Sequence, residues 1–342
     1  MKGCSIYCGN FSDCNDDKGH ETALLCYERG RALLITCTVF NPCLDVTYSL
    51  DEFHVGNTYN DTISKRGPAG KGINVARAIK ELGEDVGVVI FQPEENHGRF
   101  KKYFEDCDID AKYFTFPGSV RINTTICERA AGRTSHINSL GTAAPPEVQN
   151  AFIKFIEQKV RKDNRLALCG SLPPDHDMDA YRKVITALKK KSVFCLLDSR
   201  GDAFRRGLLA RPDAVKPNHE ELEEYFGEEI RGIHHIALKG KRFCDMGIRY
   251  AFISLGSDGM IAIHDNNCLL CSVPPITPVD TIGCGDSVVA GILVGMQRKL
   301  SFVETCRLAV ACGISNALNE GAGIINKGDV QRLMKDICIE SV

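Results

Sequence analysis

The sequence has almost no net charge. Its 42 Lys and Arg stand against 44 Asp and Glu, a formal −2. A general nucleic-acid binder would carry a basic excess, so that class is set aside, which leaves room for a local basic pocket. No apolar run approaches the ~20 residues needed to cross a bilayer, so no membrane association is expected. The opening stretch, MKGCSIYCGNFSDCNDDKGHE, lacks the apolar centre of a secretory signal, and the expected compartment is the cytoplasm. There is no GxxxxGK[ST] loop, and no GxGxxG follows the first apolar run. These absences disfavour a Walker-type NTPase and a nicotinamide-binding enzyme. Internal repeats and low-complexity segments are missing as well.

Cysteine is not scarce, with 17 residues, but they are scattered. Reduced thiols behave as small buried hydrophobes. Cys268 and Cys271 form one CxxC, and no second Cys or His pair follows at zinc spacing. Both are therefore expected to be strand residues. The 342 residues suffice for one large α/β domain or two smaller ones.

Residues 1–31 are polar, rich in Asp, Asn and Gly, and are expected to form a poorly ordered tail. Short apolar runs at 32–39, 166–169, 194–197 and 251–255 suit strands buried on both faces. Helical periods separate them, as with Val148, Phe152, Phe155, Ile156 and Val160, or Met178, Tyr181, Val184, Ile185 and Leu188. This alternation predicts a mostly parallel sheet with helices on both faces. Residues 45–66 and 112–140 break the rhythm with strand-like alternation and turns. They are expected to form a small β lid over a large domain built from 32–44, 67–111 and 141–342.

Three stretches can carry chemistry. PAGKGINVAR at 68–77 runs into a helix whose apolar face includes Ile73, Ala76, Ile79 and Leu82. Glycines there let the backbone approach a ligand, and the helix start attracts anions or hydroxyls. A plain turn with a solvated lysine is the alternative. KPNHEE at 216–221 places Asn218 as an N-cap with Glu221 at the third helical position, a capping box. The same two residues could instead hold water around a magnesium ion. TIGCGDS at 281–287 precedes a helix with Val288, Val289, Ile292, Leu293 and Met296 on its apolar side. Consecutive N–H groups there form an anion site, and Asp286 could take a proton from an attacking hydroxyl. Stabilisation of the helix start by Asp286 is the competing role.

In order and spacing these stretches resemble the ribokinase-like sugar kinases of the PfkB carbohydrate kinase family, in its sugar-phosphate branch. NPCLD at 41–45, GKGINVAR at 70–77, GSLPP at 170–174, KPNHEE at 216–221, SLGSDG at 254–259 and GCGDSVVAG at 283–291 carry the likeness, which spans about residues 33–335. It implies a three-layer α/β/α sandwich with a small β-sheet lid. The implied activity is ATP-dependent phosphorylation of a ketohexose phosphate, foremost fructose 1-phosphate to fructose 1,6-bisphosphate. Tagatose-6-phosphate kinase and 6-phosphofructokinase activities are the alternatives. A non-catalytic sugar-phosphate sensor would have lost Asp286, Gly283 or Gly285, and all are present.

By this resemblance Asp45 binds sugar hydroxyls at the end of the first strand, and Gly70, Lys71 and Asn74 line the sugar pocket. Arg121 and Asn123 reach the phosphate already on the substrate, with Ser171 nearby. Asp286 is the catalytic base, and Gly283, Cys284 and Gly285 form the anion hole. Lys216, Asn218, Ser254, Gly256 and Gly259 line the ATP site, and Asn218 and Glu221 organise Mg²⁺ through water. The implied assembly is a homodimer through the lid. Some positions depart from the family pattern. Ala69 stands where a glycine is usual, at a cost of about 1 kcal/mol if that position needs a positive φ. QPEEN at 92–96, LGT at 140–142 and Cys284 also replace more usual residues.

Overall fold

The computed structural model describes residues 34–60 and 63–342. The expected tail at 1–31 lies outside them, as do residues 32 and 33 of the first expected strand. The strands are β1 (Ile35–Val39), β2 (Cys43–Leu50), β3 (Ile63–Ala69), β4 (Val86–Pro93), β5 (Asp110–Phe116), β6 (Arg121–Glu128) and β7 (Arg133–Asn138). They continue with β8 (Arg165–Cys169), β9 (Phe194–Asp198), β10 (Ala214–Val215), β11 (Tyr250–Ser254), β12 (Met260–His264), β13 (Asn267–Ser272) and β14 (Cys338–Ser341).

Ten strands form one sheet in the order β14-β13-β12-β11-β10-β9-β8-β1-β4-β5. From β5 to β11 every pairing is parallel; β12, β13 and β14 add an antiparallel edge. The reason is visible in β4, all of whose residues are buried. Val86, Val88 and Ile90 face one core, Val89 and Phe91 the other, so the strand has no solvent face to mark with polar residues.

Helices α1 (Lys71–Glu81), α2 (His97–Asp106), α3 (Pro146–Lys159), α4 (Ala180–Lys189) and α5 (Gly201–Leu208) precede α6 (His219–Phe226) and α7 (Ile233–Asp245). Helices α8 (Cys284–Gln297), α9 (Phe302–Ala317) and α10 (Lys327–Asp336) follow. One core joins the sheet to α1, α2, α8, α9 and α10; the other joins it to α3 through α7. The result is a three-layer α/β/α sandwich. Among the described residues no helix is long and apolar enough to cross a membrane.

A separate four-stranded sheet, ordered β3-β2-β6-β7, forms the smaller unit. Its limits differ from those expected. Residues 112–116 belong to β5 and pair with β4 in the large sheet, not with the lid. At the edge of the sheet β5 is only partly covered, and Lys112 and Thr115 interrupt its apolar residues, so in sequence it looks like a half-exposed lid strand. At the other ends, β2 begins at Cys43 and β3 runs to Ala69, so 43–44 and 67–69 join the small sheet. Asp45 therefore sits inside β2 and not at the tip of the first strand. Ala69 pairs with Cys43 and is not among the positive-φ residues, so the alanine there carries no backbone strain. Cys268 and Cys271 both lie in β13, where a three-residue step sends side chains to opposite faces. Cys271 is in one core, and Cys268 packs against the other.

Candidate active site

Strands β1 and β8 are neighbours, but within this sheet the chain passes from β1 to β4 on one side and from β8 to β9 on the other. Such a switch point opens a crevice at the carboxyl ends of parallel strands. A cavity of about 190 Å³ lies there, bounded by Asn41 after β1, Gly170 and Ser171 after β8, Lys71 of α1, and Arg121 and Asn123 of the lid.

Helix α1 starts hard against the end of β1. A Cβ on Gly72 would stand 2.2 Å from the Thr38 carbonyl oxygen, so no side chain fits. Gly70, the residue before the helix, has φ +141°, close to where β3 ends. This packing aims Lys71 across the crevice, and its Nζ lies 3.1 Å from Asp198 Oδ1 and 3.8 Å from Glu221 Oε1. Burial opposes the Lys71 charge, but Asp198, Glu221 and Asp286 outweigh it, and the pKa stands above the ordinary lysine value. Lys216, also buried, places its Nζ 3.6 Å from the same Asp198 oxygen.

Asp198 is the central residue that the sequence reading missed. It is fully buried at the carboxyl end of β9 and joins two lysines. Its signal was a lone carboxylate closing an otherwise apolar strand, at the sheet edge where α/β sites form.

Helix α8 brings in the third stretch. Gly283 precedes it with φ +82°, and a Cβ there would meet Ala322 Cα at 2.7 Å. Asp280 accepts hydrogen bonds from the Ile282 and Gly321 amides at 2.9 and 3.0 Å. Buried Asn316 donates to the Ile282 carbonyl at 2.8 Å and accepts from Ser287 Oγ and the Gly323 amide. The loop is thus fixed by two residues that were not among the expected ones. The first-turn amides of α8 have no partners within the helix. The Cys284 amide leans toward the Thr281 carbonyl at 3.4 Å, a long contact. Burial pushes the Cys284 thiol up to about 11.

Asp286 lies in the first turn of α8, buried, and its Oδ2 accepts a 2.8 Å hydrogen bond from Asn74 Nδ2. Burial raises its pKa. Lys71 pulls it down, Asp198 pushes it up, and the Asn74 bond and Lys216 lower it; the balance is about 6. A carboxylate so tuned is ionised at neutral pH yet basic enough to accept a proton.

The capping-box reading of the second stretch holds geometrically. Asn218 Oδ1 accepts from the Glu221 amide at 2.7 Å, and Glu221 Oε2 accepts from the Asn218 amide at 2.9 Å, a complete capping box for α6. Glu221 Oε1 meanwhile points toward Lys71. Replacing Asn218 by Ala is expected to cost about 1 kcal/mol of stability, read as a lowered denaturant midpoint with an unchanged slope.

Among the described residues no group of three or more His, Cys, Asp or Glu could hold a metal alone. Magnesium in nucleotide sites is bound by one or two carboxylates with phosphates and water. Asp198 Oδ2, buried without a hydrogen-bond partner, and Glu221 Oε1 fit that sparser donor set.

On the lid side Asn123 Nδ2 donates to Asp45 Oδ1 at 3.1 Å. Arg121 reaches the Ser139 and Asn41 carbonyls only at 3.3 and 3.4 Å, and its Nε is buried without a partner. Ser171 Oγ accepts from Asn41 Nδ2 at 3.4 Å. Ser254 forms a parallel bridge with Asn218, which ties the end of β11 to the capping box. Gly256 and Gly259 lie in the following turn. At Gly259 (φ +98°) a Cβ would stand 1.9 Å from the Cys271 carbonyl oxygen, which gives that glycine a packing role.

The model of the pfkB family carbohydrate kinases matches residues 39–327. The chain belongs to the pfkB family of carbohydrate kinases. This family member is 30% identical to 1-phosphofructokinase of Haemophilus influenzae over 314 residues, covering 91% of this chain and 99% of that protein. The 1-phosphofructokinase of Bacillus subtilis is 28% identical over 304 residues, covering 89% and 98%. Among solved structures, phosphofructokinase-2 from Escherichia coli superposes with a TM-score of 0.83 at 23% identity, covering 89% of this chain and 99% of that one. The fold of this pfkB-family kinase is thus the one expected from its motifs.

Proposed function

We propose that this kinase transfers the γ-phosphoryl group of ATP to the free primary hydroxyl of fructose 1-phosphate, giving fructose 1,6-bisphosphate. The observation that carries the reading is the buried Asp286 at the head of α8, hydrogen-bonded to Asn74 and next to the Lys71 cluster. The curated relatives named 1-phosphofructokinase favour this substrate.

The sugar lies between Asp45, Gly70, Lys71, Asn74 and Asn123, with Arg121 and Ser171 toward its phosphate. Asp286 takes the proton of the attacking hydroxyl as the new O–P bond forms and the bond to the ADP oxygen breaks. The amides of Gly283, Cys284 and Gly285 hold the moving phosphoryl oxygens, and Lys216, Asn218, Ser254, Gly256 and Gly259 flank the nucleotide. Mg²⁺ would be held by Asp198 and Glu221, with Asn218 near it through water, and would supply neutralisation of phosphate charge. The lid sheet closes over the sugar, excludes water and pairs with a second copy of the chain. The described cysteines are free thiols, in keeping with a reducing cytoplasm.

A coupled assay with ATP and fructose 1-phosphate, fructose 6-phosphate, tagatose 6-phosphate or ribose tests this. The highest kcat/KM is expected for fructose 1-phosphate. A higher value for another of the four reassigns the substrate, and silence on all four overturns the kinase reading.

A further inference from the structure

The cavity beside Lys71 carries more positive charge than it can neutralise. Lys71, Arg121 and Arg200 line it, and Glu221 is the one carboxylate among its lining residues. Lys71 is already matched by Asp198 and Glu221. The two arginines are left over. Arg121 makes only long contacts to carbonyls and keeps a buried, unpartnered Nε. Among the described residues the side chain of Arg200 makes no hydrogen bond or ion pair. Like charges gathered in a small space repel, and that cost is tolerated where an anion is to be bound.

We infer that Arg200 is the second half of a two-arginine clamp on the phosphate that the sugar brings with it. The inference rests on the reading of the cavity as a sugar-phosphate site. A phosphate monoester carries about −1.5 to −2 charges at neutral pH, which matches the two unneutralised guanidinium groups. Guanidinium forks bind phosphate oxygens in pairs, and two of them approaching from different elements fix its orientation. Arg121 comes from lid strand β6, whereas Arg200 directly precedes α5 in the large domain. A phosphate gripped by both ties the lid to the body. Arg200 also has room to swing. Together with Ser171 it lines a neighbouring cavity of about 280 Å³, on whose wall Asp202 and Glu224 lie. Neither carboxylate makes an ion pair with Arg200, so the guanidinium stays available to an anion. Arg200 thereby becomes a specificity residue that favours phosphorylated over unphosphorylated ketohexose.

The test is equilibrium binding of fructose 1-phosphate and of fructose, by calorimetry, to the full chain and to Arg200→Ala, alongside steady-state kinetics. The side chain is exposed and unbonded, so the variant is expected to keep its melting temperature. Fructose 1-phosphate should bind roughly 10- to 100-fold more weakly, about 1.4 to 2.8 kcal/mol, with weak fructose binding and the KM for ATP unchanged. Equal affinity of wild type and variant for fructose 1-phosphate overturns the clamp, as does a wild type that does not bind it. A rise confined to the KM for ATP overturns it too, by assigning Arg200 to the nucleotide. A wild type that binds fructose 1-phosphate but never turns it over overturns the kinase reading and leaves the clamp standing.

Discussion

Replacing Asp286 by Asn is expected to lower kcat by about 10²- to 10⁴-fold, the range over which a positioned general base contributes. Asn has the same shape and can still bond to Asn74, so the geometry at the head of α8 survives. It cannot accept the hydroxyl proton. Activity near wild type in the variant rejects the role of base.

The pH dependence gives a second readout on the same residue. Its pKa of about 6 means that the base is protonated, and idle, below that pH. The wild-type kcat/KM should therefore fall as pH drops through about 6. The sign for stability is the opposite. A carboxyl whose folded pKa is raised from 3.8 to about 6 binds its proton more tightly when folded. Its ionised form opposes folding above pH 6, and that penalty disappears as pH falls through 6 toward 4. Asp286→Asn should therefore stabilise the protein at pH 7 by an amount on the order of 2 kcal/mol and leave it nearly unchanged at pH 4. Urea unfolding at both values checks it.

The second large effect is expected at Asp198. Changing it to Asn leaves the buried amine of Lys216 without its carboxylate and Lys71 with only the more distant Glu221. Removing one member of a buried ion cluster costs about 3 kcal/mol, because an uncompensated charge stays behind. With Lys71 no longer held, kcat should fall about 100-fold, the scale of an ångström misplacement. Asp198 also raises the Asp286 pKa by repulsion. The acid limb of the pH profile should therefore move to lower pH in the variant. A variant of wild-type stability with an unmoved limb would remove Asp198 from the site.

What the sequence made legible follows from how local each signal is. The α6 capping box is written in four consecutive residues, and the structure has it in full. Strands β8, β9 and β11 could be read because burial on both faces leaves an unbroken apolar run. Strand β5 belongs to the large sheet although its sequence suits the lid, because polar residues interrupt a partly covered edge strand just as they do a lid strand. Asp198, Asp280 and Asn316 went unseen for a different reason. Their partners are distant in the chain, and a single Asp or Asn carries no periodicity. Arg200 likewise shows its interest only as a charge left over from a balance of neighbours.

Gly70 joins the edge lid strand β3 to the helix that carries Lys71 and Asn74, with no linker between them. A rigid rod that starts where a flap ends works as a lever. Any tilt of the flap is handed on, one peptide later, to the amine and the amide that steer Asp198 and Asp286. In the proposed reaction, seating of the hexose under the flap and alignment of the reactive groups would then be a single movement.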